Sequence, residues 1–416
     1  MKKLILIILF LSPLKNCFSQ FTHNYCNSPR YDTEVFTGDS ISGNIMYGSN
    51  IDYLGSTTTL TMDIYTPSGD TAAIRPLIIW VHGGGFIGGT KNDGDVTSLC
   101  HHFAKRGYVC ASINYRLGVF PTQVSATQGV YRAVQDLKAA IRFFRKNAAT
   151  TNTFKIDPDM IFAGGSSAGA FTSLHLAYLD QPSEVPSYID TTVLGGLEGS
   201  SGNPGYSSHV NAIVNLCGAL GDTAWIHPGD VPVCSMHGTN DVVVPYATDL
   251  IYVLGNPIMV VNGSYSISQH ANAIGLPNVM YTFYGAQHVP FSNNTAYMDT
   301  TVRFVSNFLY SYMGCTPTDM HPFPNTFINV STADLNSTSD EPVVYPNPAF
   351  DYVTIQADNS AAQKAELADV TGRTIQTFVL NSSHKTIVYR GDLSAGLYFL
   401  KIYLNGKTIT KKVCFQ

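Results

Sequence analysis

One serine, one aspartate, a pair of histidines and a run of glycines are the residues of this chain whose types and order suggest chemistry. Gly165-Ser166-Ser167-Ala168-Gly169 reads as G-x-S-x-G. The apolar run Met160-Ile161-Phe162-Ala163 leads in as a short strand, and a helix-forming stretch, Ala168 to Leu179, leads out. A serine on so sharp a turn needs φ > 0 and small neighbours, which Gly165, Ala168 and Gly169 supply. Ser167 then stands at a helix N-terminus, where the dipole and free N–H groups favour developing negative charge. A small-residue turn alone is a weak signal, so the case depends on the rest of the chain. A serine hydroxyl is a poor nucleophile near neutral pH. It needs a base, usually histidine, and a carboxylate to orient that base. On a G-x-S-x-G sheet the chain order is Ser, then Asp or Glu, then His. His237-Gly-Thr-Asn-Asp241 follows one apolar run, and Gly285-Ala-Gln-His288 follows the next. Asp241 is read as the acid and His288 as the base. Asp222 and Glu198 compete for the first role. His237 competes for the second, but it abuts its strand and reads as a loop-organising residue.

Acyl transfer also needs donors for an oxyanion. His82-Gly83-Gly84-Gly85-Phe86 directly follows the apolar run Leu77 to Val81. Successive glycines let backbone N–H groups point into a cavity with no side chain in the way. Gly84, Gly85 and Ala168 would make a three-donor hole, and losing one such donor typically costs about 3 kcal/mol in the transition state. Asp136 and Arg116 are candidates to tether the glycine loop, with an ordinary salt bridge as the plainer reading. His101-His102 read as solvated helix residues. No C-x-x-C pair or His/Cys spacing suggests a metal site.

Elements that could hold such residues are visible in the pattern. Leu77 to His82, Tyr108 to Asn114, Met160 to Ala163, Ala212 to Cys217, Val231 to Met236 and Val279 to Tyr284 are continuous apolar runs, as expected of strands buried on both faces. Thr59 to Tyr65 alternates at period two and is expected to be antiparallel at one edge. Tyr131, Val134, Leu137, Ile141 and Phe144 recur at helical spacing, with Arg132, Lys138, Arg142 and Arg145 elsewhere on the wheel. Alternation of β and α from Asn44 to Tyr310 predicts a mostly parallel sheet with helices on both faces. Sites in such sheets lie beyond the carboxyl ends of the strands, where every residue singled out above falls. Asp180 to Ser208 interrupts the rhythm with Gly195-Gly196, Gly199 to Gly202 and Pro204-Gly205. It reads either as a lid or substrate wall or as a loosely packed surface loop.

The composition is globular: 416 residues, 13% charged and 44% apolar, with 24 Tyr and 22 Phe. That length suits two or three domains. A net charge of −5 without a basic stripe argues against nucleic acid as a partner. Met1-Lys2-Lys3, the short apolar run Leu4 to Leu11 and the small residues near Ser19 read as a signal peptide over residues 1–19, too short to span a membrane. No second run approaches spanning length, so no transmembrane anchor is expected. An exported chain permits disulfides, and Cys26 with Cys315, near the two ends of the large domain (20–315), is one pairing that would tie them together; the sequence does not fix the pairings. Cys217 and Cys234 read equally well as buried thiols.

After Cys315 the character changes. Residues 316–341 are rich in Thr, Ser, Asn, Asp and Pro and read as a linker. From 342 to 416 short strands resume without helices. Tyr398, Leu400, Ile402 and Leu404 alternate with Phe399, Lys401 and Tyr403, Asn405-Gly406 supplies a hairpin turn, and Lys407 to Lys411 returns. A small all-β sandwich is predicted here.

Taken together, His82 to Phe86, Asn114-Tyr115-Arg116, Asp157-Pro158, Gly165 to Gly169, His237 to Pro245 and His288 resemble the α/β-hydrolase carboxylesterases and lipases with an H-G-G-G oxyanion loop. The resemblance covers roughly Asn44 to Tyr310 and implies an α/β fold with a mostly parallel eight-stranded sheet. It implies cofactor-free, metal-free ester hydrolysis through an acyl-enzyme on Ser167. Type-B members usually carry a glutamate acid after the preceding strand. Asp241 in its place favours the smaller bacterial esterases, including those that remove acetyl or feruloyl groups from polysaccharides. Tyr345-Pro-Asn-Pro348, Asp369 to Arg373, Leu393 to Tyr398 and the terminal strand resemble the type A sorting domain of the type IX secretion system. That resemblance implies a Gram-negative cell, passage through the periplasm, contact with the secretion machinery, and release or surface attachment. A serine peptidase of the same fold is the first alternative, though Ala168 after the nucleophile and the lack of an N-terminal propeller speak against it. A non-catalytic adhesion module ranks last.

Overall fold

The computed structural model describes residues 23–318 and, between 342 and 415, the strands of a second unit with a few flanking positions. The expected signal segment, residues 319–341 of the expected linker, Pro346 to Pro348, Val370-Thr371 and Asn405-Gly406 lie outside the described residues. The chain divides into two compact units, 1–328 and 329–416.

In the larger unit the strands are β1 (Asp39–Ile51), β2 (Thr57–Pro67), β3 (Arg75–Val81), β4 (Val109–Ile113), β5 (Ile156–Ser166), β6 (Ala212–Leu216), β7 (Ala219–Leu220), β8 (Val233–Gly238), β9 (Thr248–Val253), β10 (Asn256–Gly263) and β11 (Asn278–Phe283). The helices are α1 (Gly94–Lys105), α2 (Gln123–Ala149), α3 (Ala168–Tyr178), α4 (Ser264–Ile274) and α5 (Thr295–Tyr312). Eight strands form one sheet in the order β1-β2-β4-β3-β5-β6-β8-β11. From β4 to β11 every pairing is parallel, while β1–β2 and β2–β4 are antiparallel. The strand predicted from Thr59 to Tyr65 is antiparallel as expected, but the edge belongs to β1, which the sequence pattern did not reveal. β1 is mostly solvent-facing and its register shifts twice against β2, which erases a clean alternation.

β3 is buried along its whole length, and its successive side chains face opposite layers. Leu77, Ile79 and Val81 pack with Leu137, Ile141 and Phe144 of α2 and Leu174 of α3. Ile78 and Trp80 pack with Leu99 and Phe103 of α1 and Val305 and Phe308 of α5. A disulfide joins Cys26 to Cys315 across 289 residues, closing the large unit at its ends. Closing so long a loop restricts the unfolded chain and is worth up to about 5 kcal/mol in the chain-entropy account. Cys100, Cys110, Cys217 and Cys234 are buried thiols. Among the described residues no helix is long and apolar enough to cross a membrane.

The Asp180–Ser208 segment is pinned rather than loose. Gln135 Nε2 donates to Leu194 O and Gly196 O at 2.6 and 2.7 Å. Lys138 and Arg142 reach Glu198 at 2.8 and 3.1 Å. These α2 cations, placed on the polar part of the wheel by sequence, are buried because this segment covers them. Arg116 and Asp136 form a buried ion pair at 2.8 Å, and Ser201 Oγ donates to Asp136 at 2.6 Å. The pair therefore anchors the inserted segment directly rather than the glycine loop. His101 and His102 are also not simply solvated: their Nδ1 atoms lie 2.8 Å from Asp39 and 2.6 Å from Glu34.

The second unit contains β12 (Val343–Tyr345), β13 (Tyr352–Gln356), β14 (Ala362–Ala368), β15 (Thr374–Val379), β16 (Lys385–Tyr389), β17 (Gly396–Leu404) and β18 (Lys407–Phe415). They form antiparallel sheets of orders β12-β13-β16 and β15-β14-β17-β18. Val353, Ile355 and Val388 from one sheet share a core with Leu367, Leu400, Ile402 and Val413 from the other. β17 and β18 pair with Leu404 opposite Lys407, as a two-residue hairpin requires.

Candidate active site

β5 ends at Ser166, α3 begins at Ala168, and Ser167 between them takes φ +54° and ψ −119°. The turn is possible because its flanks have no side chains. A Cβ on Gly169 would lie 1.9 Å from Val81 O, and one on Gly165 would lie 2.4 Å from the same oxygen. The two adjacent serines part company here. Ser166 is buried and its Oγ donates to Asp95 of α1. Ser167 Oγ instead meets His288 Nε2 at 2.8 Å.

His288 follows β11, and its Nδ1 lies 2.6 Å from Asp241 Oδ2. Asp241 follows β8 on a tight loop whose Val243 and Val244 N–H groups donate to Oδ1 at 2.9 Å each. The Asp241 side chain is fully shielded from solvent. Burial alone would raise its pKa. Hydrogen bonds from His237 and His288, with the backbone donors, outweigh burial and hold it well below the usual carboxylate range. The carboxylate is thus ionised and fixed, as an orienting acid must be.

His237 is buried at the end of β8, and its Nε2 faces two acceptors, Asp241 Oδ2 and Val244 O, each at 3.1 Å. Nε2 therefore carries the proton. Nδ1 accepts from Ser264 Oγ at 2.7 Å, and Ser264 Oγ accepts from Asn215 Nδ2 at 3.0 Å. The structure thus bears out His237 as a loop organiser. Ser264 and Asn215 were not singled out from sequence, because they lie far from the motif in the chain. Asp222 caps a short helical turn by accepting from Ala224 N–H, and Glu198 binds the α2 cations; neither meets His288.

The glycine loop follows β3. Gly84 and Gly85 have φ of +99° and +61°, and a Cβ on Gly84 would lie 2.2 Å from Gly88 O. Tyr115 Oη donates to His82 O and Gly83 O at 3.2 Å, and its ring stacks on His82 at 4.4 Å. Gly118 N–H donates to Phe86 O at 2.7 Å. Burial lowers the pKa of His82, whose Nδ1–H donates to Gly83 O at 2.8 Å, so this imidazole is a neutral brace. Gly84, Gly85, Ser167 and Ala168 line one cavity. The Ser167 N–H is spent on Leu216 O at 2.9 Å, whereas the Ala168 N–H is one of the donors that a helix start leaves unpaired.

Residues 62–221 match the BD-FAE family, and residues 343–416 match the secretion system C-terminal sorting domain. The chain joins an α/β-hydrolase domain to a type IX sorting domain. Over 113 residues the chain is 33% identical to carboxylesterase 3B of Mus musculus, a match covering 26% of this chain and 19% of that protein. Over 120 residues it is 36% identical to phenmedipham hydrolase of Pseudarthrobacter oxydans, covering 28% and 23%. The matched stretch therefore spans about a fifth of these relatives' length. Esterase 2 of Thermogutta terrifontis phosphorylated by paraoxon superposes with 24% identity over 66% of this chain and 95% of that chain, at a TM-score of 0.46.

The hydrolase cavity measures about 510 Å³. Ser167, Phe171, His175 and Leu179, four residues apart on one face of α3 and its cap, line it in sequence. Pro186 and Tyr188 of the inserted segment form part of a wall, so that segment is a wall in fact. Another wall comes from β9 and β10, a hairpin that supplies Ile251, Val253, Met259 and Val261 and was not recognised from sequence. His175 donates from Nδ1 to Phe171 O at 2.8 Å and accepts from Gly221 N–H at 3.4 Å. Burial lowers its pKa to about 4, so it is a neutral wall residue. Among the described residues, Cys217, Asp241 and His288 form a group whose potential ligand atoms lie within 4.8 Å of one another. Burial pushes the Cys217 thiol up to about 12, and Asp241 and His288 already bond to each other, so the arrangement suits packing behind the triad better than metal ligation.

Proposed function

We propose that the hydrolase domain is a serine carboxylesterase with Ser167 as nucleophile, His288 as base and Asp241 as orienting acid. The observation that carries this reading is the unbroken line of hydrogen bonds from Asp241 Oδ2 through His288 to Ser167 Oγ, at 2.6 and 2.8 Å. His288 Nε2 takes the hydroxyl proton as Ser167 Oγ adds to the ester carbonyl. The N–H groups of Gly84, Gly85 and Ala168 receive the negative charge that forms on the carbonyl oxygen. His288 then returns the proton to the departing alkoxide, leaving the acyl group on Ser167. Water, activated by the same imidazole, adds to the acyl carbon; the acid leaves and Ser167 regains its proton. Besides the ester and water, each step uses groups of this chain, and none calls for a cofactor.

Short-chain esters and acetyl or feruloyl esters linked to polysaccharide are the proposed substrates. A largely apolar cavity opening beside the nucleophile supports a substrate that buries its acyl part. Hydrolysis of p-nitrophenyl acetate or butyrate that depends on Ser167 tests the assignment.

We further propose that residues 1–19 direct the chain to the periplasm of a Gram-negative cell. The 342–416 domain would then hand it to the type IX machinery for release or surface attachment, with 316–341 as linker. The match of 343–416 to a sorting domain supports this reading. Deleting 342–416 is expected to leave esterase activity in the cell extract and to abolish export; full export of the truncated chain would contradict it.

A further inference from the structure

Two residues behind the triad hold backbone conformations that their own side chains resist. Val289, directly after His288, has φ +46° and ψ +57°, in the left-handed region. A β-branched residue is a true outlier there, and the Pro290 that follows pushes it toward extended backbone instead. Cys217, directly after β6, has φ +57°. Such strain persists only where the surroundings over-determine it. Cys217 is fully buried, and its Sγ, a carboxylate oxygen of Asp241 and a ring nitrogen of His288 all lie within 4.8 Å of one another. The Val289 N–H hydrogen-bonds the Cys217 sulfur, as does the Gly238 N–H. The Val289 side chain packs on the cluster that holds Cys217 and Phe291. Val289 O accepts from Ser292 N–H at 3.1 Å, which closes the turn on its far side.

The end of β6 also reaches the other two members of the triad. Leu216 O accepts from Ser167 N–H at 2.9 Å, and Cys217 N–H donates to Met236 O at 2.8 Å in β8, the strand that precedes Asp241. Ala286 O, two residues before His288, accepts from Asn240 N–H at 3.0 Å, which ties the base loop to the acid loop. The chain on the N-terminal side of His288 is thus fixed, and the course it takes after His288 is set by Val289. We propose that Cys217 and Val289 form a positioning pair: the Cys217 sulfur holds Val289 in its left-handed turn, and that turn aims His288 Nε2 at Ser167 Oγ. Relaxation of Val289 toward extended backbone would redirect the chain and draw the imidazole off the line from Asp241 to Ser167. The proposal rests on the serine-esterase reading for the roles of Ser167 and His288, so its test uses a reaction of Ser167 that needs no ester.

The test is the rate at which a fluorophosphonate phosphonylates Ser167 in the full-length protein, with loss of fluoride. Wild type, Cys217→Ala, Val289→Gly and the double variant are compared, each with an unchanged circular dichroism spectrum. Cys217→Ala alone should slow the reaction at least about tenfold, the scale of a misplaced reacting group. Cys217→Ser, which keeps an acceptor, should recover part of that loss. Glycine takes positive φ without strain, so Val289→Gly should lose less than Cys217→Ala does. In the Val289→Gly background, Cys217→Ala should then cost less than about twofold, because the turn no longer needs holding. A merely structural role would lower Tm without this coupling between the two positions. Should Cys217→Ala not fold, the same cycle is run with Cys217→Ser, whose smaller loss should likewise vanish with Val289→Gly. An equal loss from the Cys217 substitution in both backgrounds, no loss in folded Cys217→Ala, or a Val289→Gly rate below that of Cys217→Ala would overturn the pair. If the wild-type protein takes up the fluorophosphonate with this coupling but hydrolyses no p-nitrophenyl ester, the esterase reading fails and the pair stands. Ester hydrolysis without the coupling does the reverse.

Discussion

His237 Nε2 lies 3.1 Å from Asp241 Oδ2, the same oxygen that accepts from His288. The Asp241 carboxylate is therefore held by a second imidazole besides the one that meets Ser167. Replacing His237 by Phe removes this donor and leaves Val244 O unpaired. The expected result is a fall in kcat of about tenfold, in line with one buried hydrogen bond. The KM for p-nitrophenyl acetate should stay within about twofold. His237→Gln, which keeps a donor, should recover part of the loss. Equal losses in both variants would reduce His237 to a packing residue.

Asp241 and Asp222 are separated by their surroundings. Asp241→Asn should cut kcat/KM by at least about a thousandfold, because the amide cannot stabilise the imidazolium. Asp222→Asn should cost less than about threefold. The reverse order would move the acid to the earlier loop. The Asp241 pKa is depressed by folding, so its stabilising effect is present above the unfolded carboxyl value, near about 4, and is lost as pH falls through and below it. Urea unfolding from pH 7 down to pH 3 should therefore show a steeper loss of stability in the wild type than in Asp241→Asn.

Gly169 and Gly85 should respond differently to the same alanine. On Gly169 the new Cβ would press into Val81 O and His82 O, both backbone atoms of the central strand and its loop. That variant should lose several degrees of Tm or fail to fold. On Gly85 the Cβ meets nothing within 4 Å, and only the positive φ resists it, at about 1–2 kcal/mol. Gly85→Ala should fold and be slow. Thermal melts and initial rates of the two variants check the contrast.

The parts legible in the sequence were those whose signals are local. Continuous apolar runs mark β3, β4, β5, β6 and β8, because strands buried on both faces have no polar side to show; the run of β11 reads the same, but that strand lies at the sheet edge and is only partly buried. Ser167, Asp241 and His288 stand out because each follows such a run in a fixed chain order. β1 was hidden by its exposed residues and double register shift. The β9–β10 hairpin was hidden by Pro257, which sits at a register shift, and by the weak turn residues Leu254-Gly255. Partnerships across the chain carried no local mark. Nothing near Ser166 indicates that Asp95, 71 residues earlier, takes its hydroxyl. Nothing near Lys138 and Arg142 indicates that residues about sixty positions later will bury them.

The central claim is that Ser167, not its neighbour, forms the acyl-enzyme. It is tested most directly by the initial rate of p-nitrophenyl acetate hydrolysis in Ser167→Ala and Ser166→Ala, each with an unchanged circular dichroism spectrum. The account predicts a fall of at least about ten-thousandfold for Ser167→Ala. Ser166→Ala should keep substantial activity, reduced only by the loss of its bond to Asp95. Undiminished turnover in folded Ser167→Ala would contradict it.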